Sequence, residues 1–145
     1  MTIEGFKQED INKTAYWIQQ VLCDEIAQNL SEEQIKNYCE TYSAEGLAHI
    51  SRFRRIYLEC SNNQISGIIG LERNVIHGPL VSQEFVDKGI GTSLIKNVES
   101  TAIRNKWQYV EAIAWPHAKG FFEKLGYREI GRSGIEILMK KSFDC

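Results

Sequence analysis

One stretch of fourteen residues, Val81-Ser82-Gln83-Glu84-Phe85-Val86-Asp87-Lys88-Gly89-Ile90-Gly91-Thr92-Ser93-Leu94, limits what this chain can fold into more than any other. An extended apolar run, Val75-Ile76-His77-Gly78-Pro79-Leu80-Val81, leads into it and reads as a strand with a break. Beyond it Leu94, Ile95, Val98, Ala102 and Ile103 recur at helical spacing, with Lys96, Asn97, Glu99, Ser100 and Arg104 between them. Strand, glycine loop and helix in that order make a place for phosphate. Gly89 and Gly91 admit backbone angles closed to other residues and let a ligand come close, while the new helix aims unpaired N–H groups and the positive end of its dipole into the loop. Lys88 adds a point charge, and Thr92 and Ser93 can donate from the first turn.

A Gly-x-Gly pair by itself often does no more than turn a chain, so spacing has to decide. A nucleoside triphosphate loop needs lysine and then Ser or Thr after its last glycine, and a dinucleotide loop needs a third glycine where Leu94 stands; both are excluded. A second run, Ala118-Lys119-Gly120-Phe121-Phe122-Glu123-Lys124-Leu125-Gly126-Tyr127, reads as a short helix closed by a glycine turn. Together the two runs resemble the GNAT acetyltransferases. The first is similar to that family's acyl-CoA loop, Arg/Gln-x-x-Gly-x-Gly/Ala after a strand ending Val-x-Pro: Val81, Lys88, Gly89, Ile90, Gly91 and Leu94 match, Val86 replaces the Arg or Gln, and Gln83 replaces the proline. The second is similar to the Ala-x-x-Phe-Tyr-Glu-Lys-Leu-Gly-Phe helix and turn, and the likeness runs from about Ile65 onward.

The resemblance implies an α/β fold with a mixed, mostly antiparallel sheet flanked by helices and splayed at its central strand, where the pantetheine arm lies as a pseudo-strand. It implies acetyl-CoA as cosubstrate, held by Val81, Val86, Asp87, Lys88, Gly89, Ile90, Gly91, Thr92 and Phe122, and transfer of its acetyl group by direct attack to a primary amine of a small molecule. Two departures open alternatives. Phe122 stands where the family's tyrosine acid would be and has no proton to give, and Trp115 stands where many members carry an asparagine bonding the pantetheine. A CoA-binding module with weakened turnover, and acylation of a protein N-terminus or lysine, are therefore kept beside the enzyme.

Composition narrows the class. At 145 residues the chain suits a single domain, 1–145, and 43% hydrophobic with 25% charged residues is the balance of a globular protein. No run approaches a membrane span, and Met1-Thr2-Ile3-Glu4-Gly5 lacks a leader's basic and apolar regions, so a cytoplasmic location is expected. A formal charge of -2 and a pI near 5.9 argue against nucleic acid, and Arg52, Arg54 and Arg55 read as a solvated strand entry. Cys23, Cys39, Cys60 and Cys145 show no metal-ligand spacing, so no metal is expected; they read as reduced thiols, mostly core fillers, with Cys145 free to oxidise.

Taken in order, Ile3 to Phe6 reads as a strand, and Asp10 caps a helix with Ile11, Ala15, Ile18, Leu22 and Ile26 as its stripe, Tyr16 and Trp17 packing beside it. Ser31 and Gln34 form a capping box for a second helix through Ile35, Tyr38, Cys39 and Tyr42, and Leu47 to Ser51 is a short helical piece. The resemblance places the acceptor pocket in this region. Arg55 to Cys60 and Ile65 to Glu72 make a hairpin about Ser61-Asn62-Asn63, and Gly78-Pro79 predicts a bulge or opened edge in the next strand. A long helix ending near Lys106, a strand from Tyr109 to Trp115 with Val110, Ala112 and Ala114 on one face, and a closing pair, Tyr127 to Gly131 and Ile135 to Lys140, complete the chain. The closing strands offer pairing across a homodimer.

Amine acetylation needs a proton acceptor. Val75, His77, Pro79 and Val81 share a face if the pleat continues, which makes His77 the candidate base, with Glu72 and Glu111 behind it. His117 is the nearest substitute for the missing acid.

Overall fold

The computed structural model describes residues 2–26, 30–85 and 88–143; Val86, Asp87 and Cys145 lie outside them. Seven strands form one sheet in the order β1-β2-β3-β4-β5-β7-β6, from β1 (Thr2–Gly5), β2 (Arg55–Ser61), β3 (Gln64–Glu72), β4 (Val75–Val81), β5 (Tyr109–Ala114), β6 (Arg128–Ser133) and β7 (Glu136–Ser142). Every neighbouring pair is antiparallel except β4 with β5, which α4 (Ile90–Arg104) joins as a crossover. The β2–β3 hairpin turns on Asn62 and Asn63, both left-handed at φ 53° and 63°, a conformation asparagine tolerates. β6 is an edge strand.

Helices cover both faces, so β3 is buried along nearly its whole length and successive residues serve different cores. Ile68 joins Ile18, Val21, Leu47, Leu58 and Leu80 beneath α1 (Ile11–Val21), α2 (Glu32–Thr41) and α3 (Ala44–Ile50). Ile69 joins Leu94, Ile95, Val98, Ala112, Met139 and Phe122 beneath α4 and α5 (Lys119–Lys124). Each such aliphatic side chain contributes about 1.5–3 kcal/mol by leaving water.

The capping box forms as the sequence predicts: Gln34 N–H donates to Ser31 Oγ at 3.1 Å, and Ser31 N–H to Gln34 Oε1 at 2.9 Å. α3 is longer at its start than expected, because Ser43 caps it and Gly46 lets it nestle against the end of α2, where a Cβ would collide with the Thr41 carbonyl oxygen. Three readings are corrected. Tyr16 is 69% exposed rather than packed, since the α1 stripe runs through Thr14, Ala15, Ile18 and Val21. Cys23 is exposed and Cys39 half-buried outside the core, so neither is a core filler, while Cys60, half-buried, packs against the α1–α3 core. Arg54 is turned inward, as described below.

The break in β4 is the feature that positions the site. Gly78 has φ 102° and the Gly78–Pro79 peptide is cis, and here the register with β3 shifts between Ile68 and Gly70 before pairing resumes at Ile68 with Leu80. On the other side β4 pairs with β5 only at Val75, Ile76 and His77. Beyond His77 the two strands part.

A buried polar cluster ties the C-terminal hairpin to α4. Tyr127 Oη donates to Glu99 Oε2 at 2.8 Å, and Lys141 Nζ donates to the same oxygen at 3.1 Å. Glu99→Ala leaves a phenol and an ammonium without this acceptor, and urea denaturation is expected to show a loss of about 1–3 kcal/mol; an unchanged midpoint would show that the cluster holds nothing together.

Candidate active site

The glycine loop opens α4. Gly89 is its N-cap at φ 77°, in the left-handed region, and among the described residues a Cβ there would meet nothing within 4 Å, so the backbone angle is what requires glycine. Gly91 is required for a different reason: a Cβ would lie 3.2 Å from the Phe121 ring. Ser93 N–H already bonds the Gly89 carbonyl, which leaves the amides of Ile90, Gly91 and Thr92 without intrahelical partners at the positive end of the dipole. The Ile90 side chain is 1% exposed and anchors the loop into the core beside Gly67. Lys88 is exposed, with Nζ 5.6 Å from the centre of the Phe85 ring.

In front of these amides lies an open cavity of about 390 Å³, lined by Pro79, Val81, Phe85, Gly89, Ile90, Gly91, Thr92, His117, Ala118 and Phe121. Phe122, expected here, is corrected. It is 0% exposed, its ring packed edge-on against Tyr127 and Phe121 at 5.1 and 5.4 Å, and it belongs to the core. Neighbouring helical residues point about 100° apart, so once Phe122 enters the core it is Phe121 that fronts the cavity. Neither ring can donate a proton. His117 stands on the lining, its pKa lowered by burial.

A second, smaller cavity of about 60 Å³ lies on the α1–α3 side of the same break, lined by His77, Gly78 and Leu80 from β4, by Tyr38, Tyr42, Arg54, Trp115 and Glu136, and by apolar residues including Ile18, Ile68 and Ile113. The expectation that His77, Pro79 and Val81 share a face is therefore overturned. The bulge reverses the alternation, so His77 and Leu80 face this cavity while Pro79 and Val81 face the larger one. Glu72 and Glu111 are not on either lining.

Charge in the small cavity is dense. The Arg54 side chain is 13% exposed; its Nη1 donates to Tyr42 Oη at 3.3 Å and its Nε lies 3.7 Å from Glu72 Oε1. Gly70 makes this possible, since a Cβ there would come within 2.5 Å of Arg54 Cδ. Burial lowers the His77 pKa to about 4, the Arg54 guanidinium pushing the same way and Glu72 opposing. Burial also raises Glu136, against the pull of Tyr38 and Arg54. Tyr38 sits edge-on to Trp115 at 4.8 Å and beside Glu136, and its phenol is pushed up to about 12, by burial first. Sequence reasoning passed over Arg54 and Glu136 as site residues. The i, i+4 pair Tyr38 and Tyr42 was the available signal on α2, but nothing in the sequence links Arg54 to Gly70 or brings Glu136 across from β7.

A pH experiment checks the burial of His77. Between about pH 6.5 and pH 4 the unfolded chain binds this proton and the folded protein does not, so stability falls as pH is lowered through that window. Calorimetric melting is expected to show a smaller drop from pH 7 to 4.5 in His77→Gln than in the wild type; parallel curves would place the imidazole in water.

Among the described residues no group of three or more His, Cys, Asp or Glu is arranged to hold a metal ion, and no helix is long and apolar enough to cross a membrane. No curated protein matches the chain. Solved structures do match in fold. A GCN5-related N-acetyltransferase from Rhodopseudomonas palustris superposes with TM-score 0.87 at 21% identity, covering 98% of this chain and 95% of that one. The PaiA N-acetyltransferase of Thermoplasma acidophilum, in complex with coenzyme A, gives 0.83 at 21% over 99% and 100%. An aminoglycoside 6'-N-acetyltransferase complexed with coenzyme A gives 0.73 at 15% over 98% and 97%. The acetyltransferase (GNAT) domain family matches residues 22–137, and with the splayed strand and glycine loop in place the chain belongs to the GNAT acetyltransferases.

Proposed function

We propose that this protein transfers an acetyl group from acetyl-CoA to the primary amine of a small molecule by direct attack. The observation that carries the reading is that two cavities, one in front of the first-turn amides of α4 and one lined with ionisable groups, lie on opposite sides of the strand break where β4 leaves β5. A donor on one side and an acceptor on the other can meet there, and holding two reactants in register is the largest service such a site can perform.

The carrier fits the larger cavity. The amides of Ile90, Gly91 and Thr92 suit a diphosphate, and backbone groups freed beyond His77 suit the amides of a pantetheine arm. Bound acetyl-CoA would supply an activated acyl group. On the acceptor side Glu136, whose carboxyl is raised by burial, is a stronger proton acceptor than His77 with its lowered pKa, so we assign the amine's proton to Glu136. His77, neutral at pH 7, remains able to orient the amine or a water. With phenylalanine at both 121 and 122 the thiol leaves as thiolate, which its pKa near 8 to 9 permits.

That same lack of an acid on α5 favours a second reading, a GNAT fold that binds CoA without turnover. Thiol release with an amine panel, run beside CoA calorimetry, separates the two: binding without thiol above background supports the module. The small volume of the acceptor cavity weighs against a protein substrate.

Gly91→Trp would drive its side chain into Phe121, and calorimetry is expected to show CoA affinity reduced by about 100-fold or more with the circular dichroism spectrum retained. Wild-type affinity would remove the loop from the site. Phe122→Tyr is expected to lower stability by about 1–3 kcal/mol, because its hydroxyl enters the apolar core, and to leave turnover no higher. A rise in turnover would show instead that this ring reaches the sulfur.

A further inference from the structure

The small cavity holds more charge than a simple amine needs. Glu136 answers an ammonium group, but Arg54 does not: a guanidinium on the lining repels any plain amine or polyamine. Nor are Arg54 and Glu136 paired with each other, since among the described residues no ion pair within 4.0 Å joins them. Its contacts are incomplete. Among the described residues Nη1 meets the Tyr42 hydroxyl, the nearest carboxylate, Glu72, is 3.7 Å away and 42% exposed, and the buried Nε has no hydrogen-bond acceptor. Two opposite charges held apart among isoleucine, leucine and tryptophan side chains are costly unless a ligand of the inverse arrangement joins them.

We propose that the acceptor is a small amino acid, with its carboxylate on the Arg54 fork beside Tyr42 and its amino group toward Glu136 and Tyr38. The inference rests on the acetyl-transfer reading above and names its substrate class. A planar guanidinium matches a carboxylate in two parallel bonds, which neither Tyr42 nor the single 3.7 Å approach of Glu72 supplies. The apolar walls suit a short aliphatic side chain, and the limited volume excludes a long one. In the reaction the ammonium gives one proton to Glu136. The freed amine attacks the thioester carbon, the C–N bond forms, the C–S bond breaks with its electron pair going to sulfur, and the second nitrogen proton reaches the thiolate. The products are an N-acetyl amino acid, free thiol and one proton passed on to solvent. Acetylation removes the positive charge opposite Glu136, which favours release.

The test uses the full chain with CoA present. Binding by calorimetry and thiol release from acetyl-CoA are measured for glycine, leucine and 4-aminobutanoate, against leucinamide and 1,4-diaminobutane. The amino acids are expected to bind, and Arg54→Met to weaken them by about 10- to 100-fold while leaving leucinamide unchanged or tighter. Should Arg54→Met fail to fold, Arg54→Lys keeps the charge without the fork and is expected to show a partial loss. Equal binding of leucinamide and leucine, no binding of any amino acid, or wild-type amino acid affinity in the folded arginine variants would overturn the inference. Thiol release with diaminobutane alone overturns it while sparing the transfer reading. Amino acid binding that depends on Arg54, with no thiol released, upholds it and defeats transfer.

Discussion

Everything at the site follows from one interruption of a hydrogen-bond ladder. Glycine at φ 102° and a proline without an N–H cannot continue β4 as a regular strand, so β4 keeps its pairing with β3 through a register shift and loses its pairing with β5 after His77. An opened pair of strands in the middle of a sheet would leave buried backbone groups without partners, a state proteins rarely tolerate unless something else fills the gap. The same interruption reverses the side-chain alternation, sending His77 and Leu80 to one face and Pro79 and Val81 to the other. One local irregularity thus makes both the gap and the separation of its two sides.

The two sides are built by different means. The larger cavity relies on main-chain groups: helix amides, a left-handed glycine, and a close approach between Gly91 and Phe121 that a single methyl group would crowd. Recognition through main-chain groups tolerates side-chain change better than recognition through side chains. The smaller cavity relies on side chains from α2, β4, β7 and the segments ending at Arg54 and Trp115. Its electrostatics come from desolvation as much as from contact, since burial is the first cause of the shifts at His77, Glu136 and Tyr38.

Much of the fold was legible because its signals are local. The Ser31 capping box, the Asn62-Asn63 turn, the alternation of Val110, Ala112 and Ala114, and the glycine at the start of α4 each depend on neighbours a few residues away. Phe122 was misplaced because a motif gives a position on a helix but not which of two adjacent rings the core will take; the packing of Tyr127 over Glu99 and β7 decided that. Tyr16, Cys23 and Cys39 were misplaced for a related reason, since apolar character states only that a residue can be buried.

By itself the sequence determined the order of elements, the break at Gly78–Pro79 and the amide-rich loop at Gly89, all consequences of backbone chemistry that a residue carries wherever it stands. Only the tertiary structure decided which charges face the smaller cavity. Arg54 turns inward because Gly70, sixteen positions later and across a sheet pairing, leaves room for its stem, and Glu136 arrives from β7 at the far side of the opened strands. Such juxtapositions are set by packing across strands, and distance along the chain carries no record of them.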